Sequence, residues 1–251
     1  MQSKKIVFLA SDCESSRWVY NALVKDIEIT AAIIEEPVSK KLLFRNRVKR
    51  IGFFKVLSQA LFSLLIVPFL QKKAHARKMQ LVETYQLNDA AFADTVYRIP
   101  SVNNDRCKEI LQQLQPDLVV VNGTRIISKK ILQCTNATFI NMHVGITPFY
   151  RGSHGGYWAL YNEDVENFGT TIHLVDAGVD TGSVLERAFS KPEPGDNFTT
   201  YPVLQVATGI IALKEVLARF MRDEYKAQTF AEKGKMYYQP GIWQYVFGRV
   251  K

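Results

Sequence analysis

Asn141 and His143 stand two residues apart at the end of an apolar run, Phe139-Ile-Asn-Met-His143. Asp180 follows 37 residues later, inside Val175-Asp-Ala-Gly-Val-Asp-Thr-Gly182. In a β-strand, residues i and i+2 point to the same face, so the amide and the imidazole would project side by side. Acyl transfer is the chemistry these residue types support. An amide N–H can donate to an oxyanion. An imidazole with a reference pKa of about 6.5 can accept a proton at neutral pH. A carboxylate can orient that imidazole or balance its charge. Taken alone, Asn-x-His reads equally well as a core pair that satisfies buried backbone groups, with Asp180 in a turn.

Positioning these groups requires strands that end at one edge. Lys4 to Ala10 reads as a buried first strand, Ser15 to Val24 as a helix, and Ile27 to Ile34 as a second strand ended by Pro37. Further strands are expected at 95–99, 117–122, 138–143, 170–175 and 184–188. Helices are expected at 104–114, 128–132, 155–161 and from 199 to about 221. This alternation predicts an α/β fold: an open, mostly parallel twisted sheet flanked by helices, with a Rossmann-type core. Ligands in such sheets bind beyond the carboxyl ends of the strands. Asn122, Asn141, His143 and the stretch 176–180 all fall at such ends. No Gly-x-Gly-x-x-Gly follows the first strand, so a dinucleotide fingerprint is not supported. Ser15, Ser16 and Arg17 could hold an anion at a helix N-terminus, although a simple cap is the plainer reading. In Pro148 to Gly156, Pro148, Arg151, Gly152 and His154 are candidates for an acceptor pocket. The glycines would allow close backbone approach, and Arg151 could meet a phosphate or carboxylate. A Gly-rich turn leading into a helix is the alternative, and for His154 the better one.

Asn141-x-His143, then Pro148-Phe-Tyr-Arg-Gly152, then Asp176-x-Gly178-x-Asp180-Thr-Gly182 together resemble the folate-dependent formyltransferases. That family includes glycinamide ribonucleotide, methionyl-tRNA and sugar N-formyltransferases. The resemblance runs from about Asp117 to Leu185, and more loosely from residue 4. It implies a formyltransferase-like fold, N10-formyltetrahydrofolate as formyl donor, a primary amine as acceptor, and Asn141, His143 and Asp180 as the catalytic trio. It also implies a pterin pocket lined by Arg125, Ile126 and Ile127 together with Asp176, Ala177, Gly178 and Val179. An Asn-Gly turn with ordinary core isoleucines is the other reading of 122–127. The glycinamide members carry a Gly-Ser phosphate loop after the first strand, which is missing here. The region after Leu185 looks too short for the extra β-domain of the tRNA-formylating members. Both points favour a nucleotide-linked amino sugar of surface-polysaccharide synthesis as acceptor. Methionyl-tRNA formylation, hydrolysis of the donor by water, and a catalytically silent membrane-recruited module remain the alternatives.

The chain has 251 residues, 47% hydrophobic and 22% charged, ordinary values for a globular protein. Residues 1–190 read as the catalytic core and 191–251 as a helix and aromatic tail that complete it. Cys13, Cys107 and Cys134 are too scattered for a zinc site or disulfide framework, so a reducing, cytoplasmic setting fits. The apolar run 6–10 is too short for a signal peptide.

The charge is uneven. Eleven Lys/Arg and no acid lie between Lys40 and Lys78, so without that segment the net charge of +8 becomes −3. Within it, Ile51 to Leu70 carries a single charge, Lys55. A true membrane span would separate strands that must share a sheet. Pro68 should end or kink the helix. Three readings of 38–78 stay open: an element on an anionic membrane surface, a homodimer interface, or a helix packed on its own body. Nucleic acid is not expected as partner, since base-stacking sites rarely need so long an aliphatic run.

Overall fold

The computed structural model of the protein describes residues 4–93, 95–232 and 234–248. In chain order its elements begin with β1 (Ile6–Ser11), α1 (Glu14–Leu23), β2 (Ala31–Glu35), α2 (Lys40–Ile51), α3 (Phe53–Leu61), α4 (Val67–Lys73) and α5 (His75–Thr84). They continue with β3 (Val96–Ile99), α6 (Asp105–Leu114), β4 (Leu118–Asn122), α7 (Lys129–Leu132), β5 (Thr138–His143), β6 (Tyr150–Gly152) and α8 (Gly155–Tyr161). The last are β7 (Gly169–Leu174), β8 (Val184–Phe189), α9 (Tyr201–Met221), β9 (Lys235–Tyr237) and α10 (Ile242–Val246).

Seven strands form one sheet in the order β3-β2-β1-β4-β5-β7-β8. The first five are parallel, with registers such as Val7↔Ala31, Ile6↔Leu118 and Val121↔Asn141. β7 is antiparallel to both β5 and β8. The expected open, mostly parallel α/β sheet is therefore present. Its strands are nearly all apolar because both faces are covered. Val7, Leu9, Val119 and Val121 face Cys107, Ile110 and Leu111 of α6 and Ile131 of α7. Phe8, Ala10, Val120, Ile140 and Met142 face α1, α8 and α9. Strand order reverses between β1 and β4, the crevice where open α/β sheets place their ligands.

Two local expectations needed correction, and one small sheet had no forerunner in the sequence reading. The second strand begins at Ala31, not Ile27, because the Ile27 amide closes the end of α1 on the Leu23 carbonyl. Pro68 does not end its helix. The chain passes through a π-helical turn at Phe62–Ile66 and continues to Lys73. A π turn shifts the backbone bonding by one residue, which accommodates the N–H that proline lacks. Finally, β6 and β9 make a small parallel sheet of their own, Tyr150↔Lys235, which ties the C-terminal segment to the loop after β5.

Candidate active site

Asn141 and His143 lie on β5 and reach one cavity of about 1020 Å³ at the carboxyl ends of the strands. His143 Nε2 sits 2.9 Å from the carbonyl oxygen of Tyr150. A carbonyl only accepts, so Nε2 carries the proton of the neutral ring and Nδ1 is the basic nitrogen. Nδ1 lies 3.5 Å from Asp180 Oδ1. The backbone N–H of Gly152 donates to Asp180 Oδ2 at 2.9 Å and fixes the carboxylate. The contact between His143 and Tyr150 depends on Gly145, where a Cβ would fall 2.7 Å from Nε2 and 2.4 Å from the Tyr150 oxygen.

The loop that delivers Asp180 explains its own motif. Asp176 Oδ1 accepts from the Gly178 amide at 2.9 Å and from the Thr181 hydroxyl at 2.7 Å. Gly182 passes so close to the Leu174 carbonyl that a Cβ would lie 1.7 Å from it. Asp180 itself takes a left-handed backbone with φ of 51°, an uncommon conformation for a residue other than glycine.

His173 was not anticipated. It lies on β7 directly opposite Asn141 in the antiparallel register. Its Nδ1–H donates to the Leu174 carbonyl at 2.7 Å, so Nε2 is an acceptor for Asn141 Nδ2 at 3.1 Å. Burial lowers its pKa below the ordinary value, so the ring stays neutral and keeps this role. Asn141 thereby has its amide oriented, with a second N–H left to offer to a ligand.

The cavity wall includes Arg125, Ile126, Ile127, Asp176, Gly178 and Val179 but not Ala177. Arg125 is committed elsewhere: its guanidinium bonds Glu35 Oε2 at 2.9 Å and the carbonyls of Pro100 and Glu36 at 2.8 Å each. It therefore positions the loop rather than offering a free charge. Of the four acceptor-side candidates, Gly152 reaches the cavity, and Pro148, Arg151 and His154 do not. The His154 ring packs on Phe198 at 4.6 Å, and burial, then the charge of Arg47, lowers its pKa to about 4. It is a packing residue. Arg17 is also turned away, paired with Asp12 at 2.8 Å. Ser16 instead ties α1 to β4 through Asn122 Oδ1 at 3.0 Å.

The other wall was missed altogether. Arg47 and Arg50 of α2, Gln71 of α4, and His75 and Lys78 of α5 line the cavity opposite the strands. The guanidinium of Arg50 stacks over Tyr238 at 5.3 Å. Lys78 pairs with Glu14 at 2.8 Å. No local signal places these residues in the site, because they reach it only when the whole helical arm folds back over it.

The doubly wound sheet thus brings an amide, an imidazole and a carboxylate together at the carboxyl end of β5, in one cavity. The sequence model of the formyl transferase family matches residues 56–200, and the chain belongs to that family. A methionyl-tRNA formyltransferase from Chlorobium chlorochromatii is 28% identical over 160 residues, covering 63% of this chain and 51% of the relative. The chain thus spans about half the length of the curated relatives it matches. The glycinamide ribonucleotide transformylase 1 of Symbiobacterium toebii superposes with a TM-score of 0.58 at 17% identity, covering 88% of this chain and 89% of the other. An N-formyltransferase from Helicobacter canadensis, solved in complex with folinic acid and dTDP-3-aminofucose, gives 0.56 at 13% identity, covering 92% and 70%. These likenesses establish the fold.

Proposed function

We propose that the protein transfers the formyl group of N10-formyltetrahydrofolate to the primary amine of a nucleotide-linked amino sugar. The observation that carries this is the geometry of the trio. His143 is held with its basic Nδ1 beside Asp180, and Asn141 is held by His173 with one N–H to spare. The residues fit the donor: Val121, Ile126, Ile127, Val175 and Val179 give one side of the cavity an apolar surface suited to a flat pterin ring. The donor supplies an activated formyl group; the amine nitrogen bonds to its carbon first, and the bond to N10 breaks as the carbonyl re-forms. N10 then takes up a proton and tetrahydrofolate departs. Asn141 donates to the oxygen that becomes negative in between. His143 Nδ1 takes the proton lost by the attacking amine, and Asp180 faces the resulting imidazolium.

The acceptor reading rests on the opposite wall. Arg47 and Arg50, which have no acid partner among the described residues, present cationic groups to a phosphate or pyrophosphate, as a nucleotide-linked sugar would carry. The Helicobacter protein was solved with such a compound, which supports the same class here. Methionyl-tRNA is the second reading, favoured by the names of the sequence relatives.

The test supplies the purified protein with N10-formyltetrahydrofolate and one of three acceptors: nucleotide-linked amino sugars, methionyl-tRNA, or water alone. Tetrahydrofolate formation is followed together with the formylated product. An N-formyl nucleotide sugar is expected. Product on methionyl-tRNA alone, or formate release alone, would overturn the acceptor.

A further inference from the structure

The helical arm carries a large apolar surface that the fold leaves uncovered. The helix from Phe53 to Lys73 has a mean hydropathy of 1.9 over its most apolar 18-residue window, yet only 22% of that window is buried. Phe54 is 84% exposed, Leu64 72%, Leu65 60% and Phe69 65%. Beside them, α10 exposes Trp243 and Phe247, stacked 5.9 Å apart. Monomeric soluble proteins rarely leave so contiguous an apolar patch without a partner.

We propose that this face of α3, α4 and α10 docks on an anionic lipid bilayer, lying in its surface. Charge identifies the partner. Of the eleven basic residues in the segment, Arg77 pairs with Asp196 and Glu193, and Lys78 with Glu14. The other nine have no acid partner among the described residues. Six lie on α2 before the apolar helix, Lys55 lies on it, and Lys72 and Lys73 close it. An apolar stripe bracketed by snorkelling cations is the pattern of an interfacial helix on acidic lipid. A two-fold contact with a second copy would place this same unbalanced positive surface against itself. A spanning helix is disfavoured by the inner face. Phe62 is fully buried, edge-on to Phe198 at 4.8 Å, and the Gln59 amide donates to the Gln239 carbonyl at 2.6 Å. Crossing the bilayer would strip away these contacts. The same arm walls the active-site cavity through Arg47, Arg50, Gln71, His75 and Lys78, so docking would bring the catalytic cavity to the lipid surface.

The experiment uses the full chain with sedimenting vesicles of phosphatidylcholine, with and without phosphatidylglycerol. Binding is expected only with phosphatidylglycerol, strongest at low salt. Trp243 reports on it directly. Trp18 and Trp158 are buried, at 4% and 7% exposure, so a blue shift and quenching by brominated lipid would come from the 62%-exposed Trp243. Replacing Phe54, Leu64, Leu65 and Phe69 with Ser should weaken partitioning by about tenfold or more. Replacing Lys49, Lys72 and Lys73 with Gln should remove much of the salt-sensitive part while circular dichroism stays native. No binding to the acidic vesicles, or equal binding to both kinds, would overturn the proposal. So would a solution dimer that the four Ser substitutions dissociate, or binding to tRNA in place of vesicles. None of these readouts depends on turnover, so failure here is distinguishable from failure of the formyl-transfer reading.

Discussion

The strands β4 and β5 and the helices α2 to α5 face each other across one cavity, yet they are held in opposite ways. Each strand is buried on both faces and locked in register by two neighbours. The arm is held by a stripe at Val56, Gln59, Phe62 and Leu70, an aromatic cluster and the Arg77–Asp196 pair. Under the proposed function, the groups that must sit within a fraction of an ångström of a reacting atom are on the rigid side. The charged groups proposed to meet the acceptor are on the side attached by few contacts. The division predicts that damage to the sheet side removes rate, whereas damage to the arm removes stability or affinity.

The largest effects test the sheet side. Asn141→Ala and His143→Ala should each lower turnover by about 10²-fold or more, the usual scale for losing an oxyanion donor or a general base. Vesicle binding should be unchanged. Asp180→Asn keeps the shape but cannot stabilise an imidazolium, so a loss of turnover approaching that of His143→Ala is expected. Turnover near the parent's would remove Asp180 from the trio.

On the arm, Phe62→Ala empties a fully buried site against Phe198 and Tyr245. A cost of about 3–5 kcal/mol in urea unfolding is expected. Smaller, and dependent on pH, is Asp196→Asn. Burial alone would raise the Asp196 pKa, but the hydrogen bonds from Arg77, at 2.9 and 3.1 Å, outweigh it and hold the carboxyl below its ordinary 3.8. Such a carboxylate contributes stability above the unfolded pKa of about 3.9 and loses it as pH falls through the lower folded value. Near neutral pH the variant should therefore be less stable by about 3 kcal/mol, with Arg77 left only the more exposed Glu193 as acid partner. The gap should begin to narrow as pH falls below about 4 and close only below the folded pKa. A gap that does not narrow at all on acidification would mean that the charge of Asp196 does not tie the arm to the body.

The same division separates what the sequence reveals from what it hides. Asn141, His143 and the Asp176–Gly182 loop are legible because their geometry is local: alternation along one strand, and an Asx-type turn closed by Thr181. The sheet is legible because strands buried on both faces must be apolar throughout. His173 is not, since one histidine in the strand Gly169–Leu174 acquires meaning only through its register with Asn141. Arg151 and His154 carry the right chemistry, but the turn after β5 places them outside the cavity. Arg47, Arg50 and Lys78 belong to the site only through the arm's docking, and charge patterning reports that they are unusual without reporting where they go.

The smallest expected effect is the sharpest contrast within the arm. Leu64 and Leu65 follow the buried Phe62 by two and three residues, yet they point outward at 72% and 60% exposure. Replacing both with Gln removes little buried surface. Surface changes of this kind usually stay within about 0.5 kcal/mol of neutral, and helix propensity is nearly unchanged, since Leu and Gln rank close together. The melting temperature and the turnover of a soluble acceptor should thus match the parent, while Phe62→Ala, made in the same helix, loses stability. A large loss from the Leu64→Gln, Leu65→Gln pair would show that these side chains are buried in solution, and the face would then be a contact within the protein or between copies rather than a free surface.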